Sequence, residues 1–213
     1  MKLAEWMAFF KKKRHIKLFS YAYLVQALDS SPQHVSTQLT RLVQKGVLTK
    51  IAKGWYENPF NPASPEEIAM RLRYPAYLSM EYLLSKESIL SQRTFTLTVM
   101  SLKRRYTFTV KDTKLEYHQL SKPLFFGYKT RNGIHMAEPE KALLDLLYIR
   151  GTKSTNNGEE NVFSLMDDMY LEELHSQKVQ TYLTRFPKRV QHLWNKFQTQ
   201  QMERKDERET TSK

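Results

Sequence analysis

Ser31-Pro32-Gln33-His34-Val35-Ser36-Thr37-Gln38-Leu39-Thr40-Arg41-Leu42-Val43-Gln44-Lys45-Gly46-Val47-Leu48 contains a helix start, an amphipathic helix and a helix stop in sequence. The Ser31 hydroxyl can accept an orphan backbone N–H, and Pro32 at the first helical position forfeits no hydrogen bond. Val35, Leu39, Leu42 and Val43 recur at helical spacing and predict a buried stripe. The opposite face carries Gln33, His34, Ser36, Thr37, Thr40, Arg41 and Gln44, which are short polar donors and acceptors plus one arginine. Such a set matches the hydrogen-bonding edges that base pairs present in a major groove. Gly46 ends the helix, because glycine tolerates the left-handed conformation that closes one.

Upstream, Ser20 caps a helix from Tyr21 to about Leu28, with Ala22, Tyr23, Leu24, Ala27 and Leu28 as its apolar positions and a short break at Asp29-Ser30. Leu3, Met7 and Phe10 predict a first helix that leads into the basic run Lys11-Lys12-Lys13-Arg14. Downstream, Val47 to Ile51 reads as a strand, Ala52-Lys53-Gly54 as a tight turn and Trp55 to Glu57 as the returning strand, with Trp55 and Tyr56 in the hairpin core. Helix, turn, helix and β-hairpin in this order predict a winged helix-turn-helix over residues 1–58. Lys50 and Lys53 fall on the hairpin, where a wing would meet phosphates and fix register without reading sequence.

Asn58-Pro59-Phe60-Asn61-Pro62 interrupts both periodicities and marks the domain boundary. A second, α+β domain is expected over 63–200. Ser64-Pro65-Glu66-Glu67 opens a helix to about Leu72, and Ser79 caps another over Met80 to Ile89. From Arg93 the period becomes two: Phe95, Leu97 and Val99, then Tyr106, Phe108 and Val110, then Leu115 to Leu120 and Leu124 to Tyr128, read as an antiparallel sheet with one wet face. Arg131-Asn132-Gly133 is a hairpin turn. Helix resumes at Glu138-Pro139-Glu140-Lys141, with Ala142, Leu143, Leu146 and Leu147 facing inward. Residues 151–161 read as a loop, about Asp168 to Thr184 and Pro187 to Gln200 as two helices, and 201–213 as a polar, disordered tail. The fold class predicted for the whole chain is therefore α+β.

The chain of 213 residues carries 34 Lys and Arg against 22 Asp and Glu, a net +12, which favours polyanionic partners. Residues 1–58 hold 10 basic and 3 acidic side chains, whereas 151–213 hold 10 of each, so the excess lies toward the front. The lack of cysteine removes disulfides and thiolate chemistry and fits a cytoplasmic protein. No apolar run is long enough to span a bilayer, so no membrane partner is expected. Catalysis would need titratable groups at one place, but the six histidines are scattered and there is no glycine-rich phosphate loop. Glu138, Glu140 and Asp145 form the best carboxylate cluster. Glu138 and Glu140 suit the positive start of a helix, and Asp145 follows Lys141 at the spacing of a surface ion pair. The expectation is a protein without catalytic residues, metal or cofactor.

Two stretches resemble the AbiEi-type antitoxins of type IV toxin-antitoxin systems. One is Leu42-Val43-Gln44-Lys45-Gly46-Val47-Leu48 with Lys53-Gly54-Trp55-Tyr56. The other pairs Tyr74-Pro75-Ala76-Tyr77-Leu78-Ser79-Met80-Glu81 with Ala137-Glu138-Pro139-Glu140-Lys141-Ala142-Leu143-Leu144-Asp145. The resemblance covers roughly residues 19–150 and implies a transcriptional repressor of its own operon. It further implies a second domain that counters a nucleotidyltransferase-like toxin without a stable complex. Double-stranded operator DNA is the expected partner, bound by a monomer or a dimer. Two other readings stay open: a winged-helix protein-interaction module, and an RNA-binding protein whose Tyr106, Phe108, Tyr117, Phe125 and Phe126 stack bases.

Overall fold

The computed structural model describes residues 2–151 and 158–211, with side chains described as far as Glu203. The chain is α+β and divides into two compact units, Met1–Leu72 and Arg73–Lys213.

In the first unit, α1 (Leu3–Lys12) is followed by β1 (Leu18–Ser20), α2 (Tyr21–Ala27), α3 (Pro32–Gln44), β2 (Thr49–Ala52), β3 (Trp55–Glu57) and α4 (Pro65–Leu72). Both expected caps form: Ser20 Oγ accepts the Tyr23 N–H at 3.1 Å and Ser31 Oγ accepts the His34 N–H at 3.3 Å. Gly46 closes α3 at φ +68°, a conformation L side chains resist. Val35, Leu39 and Leu42 are buried as the stripe requires, and Val43 is half-buried. The register of α1 differs from expectation. Trp6 and Phe10, four residues apart, form its buried face, while Leu3 is exposed. The Trp6 and Phe10 rings stack at 5.5 Å, and Phe10 meets Phe19 of β1 at 5.5 Å. Burial of each such side chain stabilises by roughly 1.5–3 kcal/mol.

The antiparallel sheet of this unit has the order β1-β3-β2, so the expected hairpin gains a third strand. The expected boundary at 58–62 also moves. Asn58 is fully buried, and its Nδ2 lies within hydrogen-bond reach of the Phe10, Lys13 and Ile16 carbonyls at 3.3, 3.1 and 2.8 Å. Beyond it, Glu57 accepts the Ala63 N–H at 2.8 Å and Lys17 pairs with Glu67 at 2.7 Å. These contacts join α4 to the first unit, which closes at Leu72.

The second unit runs β4 (Ala76–Leu78), α5 (Met80–Lys86), β5 (Thr96–Ser101), β6 (Tyr106–Val110), β7 (Thr113–Gln119), β8 (Tyr128–Arg131), β9 (Ile134–Ala137), α6 (Pro139–Leu146), α7 (Gly158–Asp167), α8 (Ser176–Leu183) and α9 (Lys188–Thr211). Its sheet has the order β6-β7-β5-β4-β9-β8. The expected all-antiparallel arrangement is corrected to a mixed one, because β5 pairs β7 and β4 pairs β9 in parallel. The β8–β9 turn is as expected, with Asn132 and Gly133 both at positive φ. Phe95, expected inward, is 84% exposed because β5 begins only at Thr96. Of Leu124 to Tyr128 only Tyr128 is strand, where it opens β8; a 3-10 turn over Lys122–Leu124 and a loop precede it.

The expected helix from Asp168 to Thr184 is split by a 3-10 turn, Leu171–Glu173, before α8. The stretch 158–161, expected within a loop, begins α7, while residues 152–157 of that loop lie outside the described residues. The tail expected to be disordered from 201 instead continues α9 to Thr211, and residues 212–213 lie outside the described residues.

Candidate functional site

All nine residues singled out on α3 and the hairpin are exposed: Gln33, His34, Ser36, Thr37, Thr40, Arg41, Gln44, Lys50 and Lys53. At about 100° per residue, Gln33, Thr37, Thr40 and Gln44 form one narrow band along α3. Ser36 flanks it on one side, and His34 and Arg41 on the other. Neither α2 nor α3 contains an acidic residue. Two hydroxyls are less free than the sequence suggested. Thr37 Oγ1 donates to the Gln33 carbonyl at 3.0 Å and Thr40 Oγ1 to the Ser36 carbonyl at 2.9 Å, so outward they present acceptor lone pairs.

Tyr21, which no sequence motif marked, ties the hairpin to the helices. Its N–H donates to the Gly54 carbonyl at 2.8 Å and its hydroxyl to the Pro32 carbonyl at 2.6 Å. The turn that carries Lys53 is thereby held to the start of α2, and the same tyrosine reaches the start of α3. Lys50 sits on β2 opposite Tyr56, just before an irregularity in the pairing. In the hairpin Tyr56 is buried and Trp55 half-buried, as expected. Lys11 and Lys12 end α1 as an exposed basic last turn.

In the second unit Asp145 is engaged by Lys141, whereas Glu138 and Glu140 both face Lys178. Asp145 and Lys141 are both fully buried rather than a surface pair. Lys141 donates to Asp145 and, at 2.9 Å, to the Tyr77 hydroxyl; Tyr77 and Ser79 each donate to Asp145 Oδ2, at 2.9 and 2.8 Å. The Lys141 ammonium lies 5.0 and 4.9 Å from the ring centres of Phe126 and Phe186. A side chain at Gly127 would press on Lys141 Cγ at 3.0 Å, so glycine is needed beside it. Burial pushes Lys141 down and Asp145 up, and the attraction of each for the other holds both back. Ser79, expected as a helix cap, is used instead in this network.

Burial tends to raise Glu138, but Lys129, Tyr182 and Lys178 hold it down at about 2. Glu140 accepts the His175 N–H at 3.3 Å and faces Lys178. Glu116, with His118 and Arg150 each 3.4 Å from its carboxylate, is held well below the ordinary carboxylate range. Among the described residues no group of three or more His, Asp or Glu is placed to hold a metal ion. Of the aromatics weighed as base-stacking residues, Tyr117 is fully buried, Phe108, Phe125 and Phe126 are half-buried, and Tyr106 is exposed. No described helix is long and apolar enough to cross a membrane.

Comparison with protein-family models and with curated proteins finds no match to this chain.

Proposed function

We propose that residues 1–58 are a winged helix-turn-helix within the first unit and that the chain is a sequence-specific DNA-binding repressor rather than an enzyme. The observation that carries this reading is α3. It is capped at Ser31, buried along Val35, Leu39 and Leu42, and lined on its solvent side by amide, hydroxyl, imidazole and guanidinium groups without a carboxylate. Bidentate amides and short hydroxyls suit base edges. The Lys53 turn, fixed through Tyr21, is suited to hold phosphates. A single such unit reads a short site, so inverted half-sites about one helical turn or a multiple apart are the expected operator.

An antitoxin role rests on the AbiEi-type resemblance alone. The second-unit segments that carry it supply Tyr77 and Ser79 on one side and Lys141 and Asp145 on the other, all buried. Their shared pattern therefore reflects how the interior is built, and a domain's interior does not define its activity.

The test is a titration of the full chain against a labelled fragment from upstream of its own gene and a scrambled control, at several salt concentrations. Tight binding to the native fragment that survives physiological salt, with a large advantage over the scramble, is expected. Equal, salt-labile binding to both would reduce the +12 charge to counterion release. The protein-interaction reading would then take first place.

A further inference from the structure

Gln38 and Arg41 of α3 and Lys45, its C-cap, lie within about 60° of one another around the helix axis, displaced from the Gln33–Thr37–Gln44 band toward the Leu42 side. With Leu42, and with Leu3 and Trp6 of α1, they line a cleft of about 220 Å³. No carboxylate lines it, and neither Arg41 nor Lys45 has an acidic partner among the described residues. Trp6 is 1% exposed, and its indole Nε1 is the one buried donor among the lining residues without a hydrogen-bond partner.

Guanidinium and ammonium groups donate and do not accept, so the cleft has a surplus of donors and two uncompensated positive charges. An anion with several acceptor oxygens would complete it. The volume is below the roughly 300–1,000 Å³ of pockets that enclose whole organic ligands, which suits a single tetrahedral group with its water.

We propose that this cleft binds a phosphate group. Arg41 and Lys45 supply the charge, Gln38 donates through its amide, and Trp6 and Leu42 form the floor. Arg41 is thereby moved from reading bases to gripping phosphate. Two sources share this chemistry, a backbone phosphate of duplex DNA and a free phosphate anion. The first rests on the repressor reading, and the second does not.

The chain has three tryptophans, so the indole N–H signals of the ¹⁵N-labelled full chain resolve the question once Trp6→Phe assigns the Trp6 signal. Inorganic phosphate is titrated against sodium chloride at matched ionic strength, and a short upstream duplex is titrated separately. Phosphate is expected to shift the Trp6 signal saturably and leave Trp55 and Trp194 in place. Arg41→Ala/Lys45→Ala is expected to abolish the shift while the Trp55 and Trp194 signals report an intact fold.

If the duplex moves the Trp6 signal and phosphate then no longer does, the site holds DNA backbone. If phosphate moves it and the duplex does not, the ligand is a free anion, and the phosphate site stands even where the repressor reading fails. A Trp6 signal unmoved by both, moved equally by chloride, or still moved in the double variant overturns the proposal.

Discussion

Helix α3 holds Arg41 at the surface beside other exposed polar groups, whereas helix α6 holds Lys141 in the interior, where it meets Asp145, Tyr77 and two further aromatic rings. The two helices look alike as patterns, each with a proline at its first position and apolar residues at helical spacing. They differ in what surrounds the charge. On α6 every residue from Glu140 to Leu146 is buried, so each polar group there needs a partner from the protein itself. On α3 burial is confined to one stripe, and the remaining groups stay open to a partner from outside. Position in the fold, rather than residue type, separates a charge that stabilises the structure from one available for binding.

The interior side of this contrast is broken most severely by Asp145→Ala, which removes the counter-charge of the buried Lys141. A loss of about 3–5 kcal/mol is expected in urea unfolding, and the double change Lys141→Met/Asp145→Leu should recover most of it. A loss below about 1 kcal/mol for the single variant would mean the pair contributes no more than a surface one. On α3, Gln33→Ala should leave unfolding unchanged and cost on the order of 1–3 kcal/mol on operator DNA only, read by fluorescence anisotropy. Ser31→Ala removes the cap that starts α3 and should lower stability by about 1 kcal/mol, measured by thermal unfolding. Smallest is Lys53→Ala. Binding should weaken alike on native and scrambled DNA, and the slope of log affinity against log salt should become shallower by about one.

The α3 segment and its hairpin were legible because their signals are local. Ser31-Pro32 starts a helix, Gly46 stops one, and Gly54 turns a strand, each through its own backbone preferences. What escaped depends on distant partners. Strand β1 is three residues long and exists through its pairing with β3, so no periodicity could announce it. Alternation in Leu97 and Val99 marks a strand but carries no direction, which is why the parallel pairing of β5 with β7 was missed. The spacing of Lys141 and Asp145 specifies that they are neighbours and says nothing about depth. The same gap hid the cleft at Trp6. Leu3, Met7 and Phe10 fit a helical stripe, but Trp6 with Phe10 is the pair that packs inward.

The contrast between α3 and α6 turns on whether the exposed face of α3 reads DNA. Replacing Gln33, His34, Ser36, Thr37, Thr40 and Gln44 together by alanine keeps the Val35-Leu39-Leu42 stripe and favours helix, so near-ultraviolet circular dichroism should remain that of the parent chain. Binding of this variant to the native upstream fragment and to its scramble is then compared with that of the parent at physiological salt. The expected result is that the preference for the native fragment disappears while weak, salt-dependent binding to both persists. A preference that survives the six changes would contradict the assignment of this face as the reader.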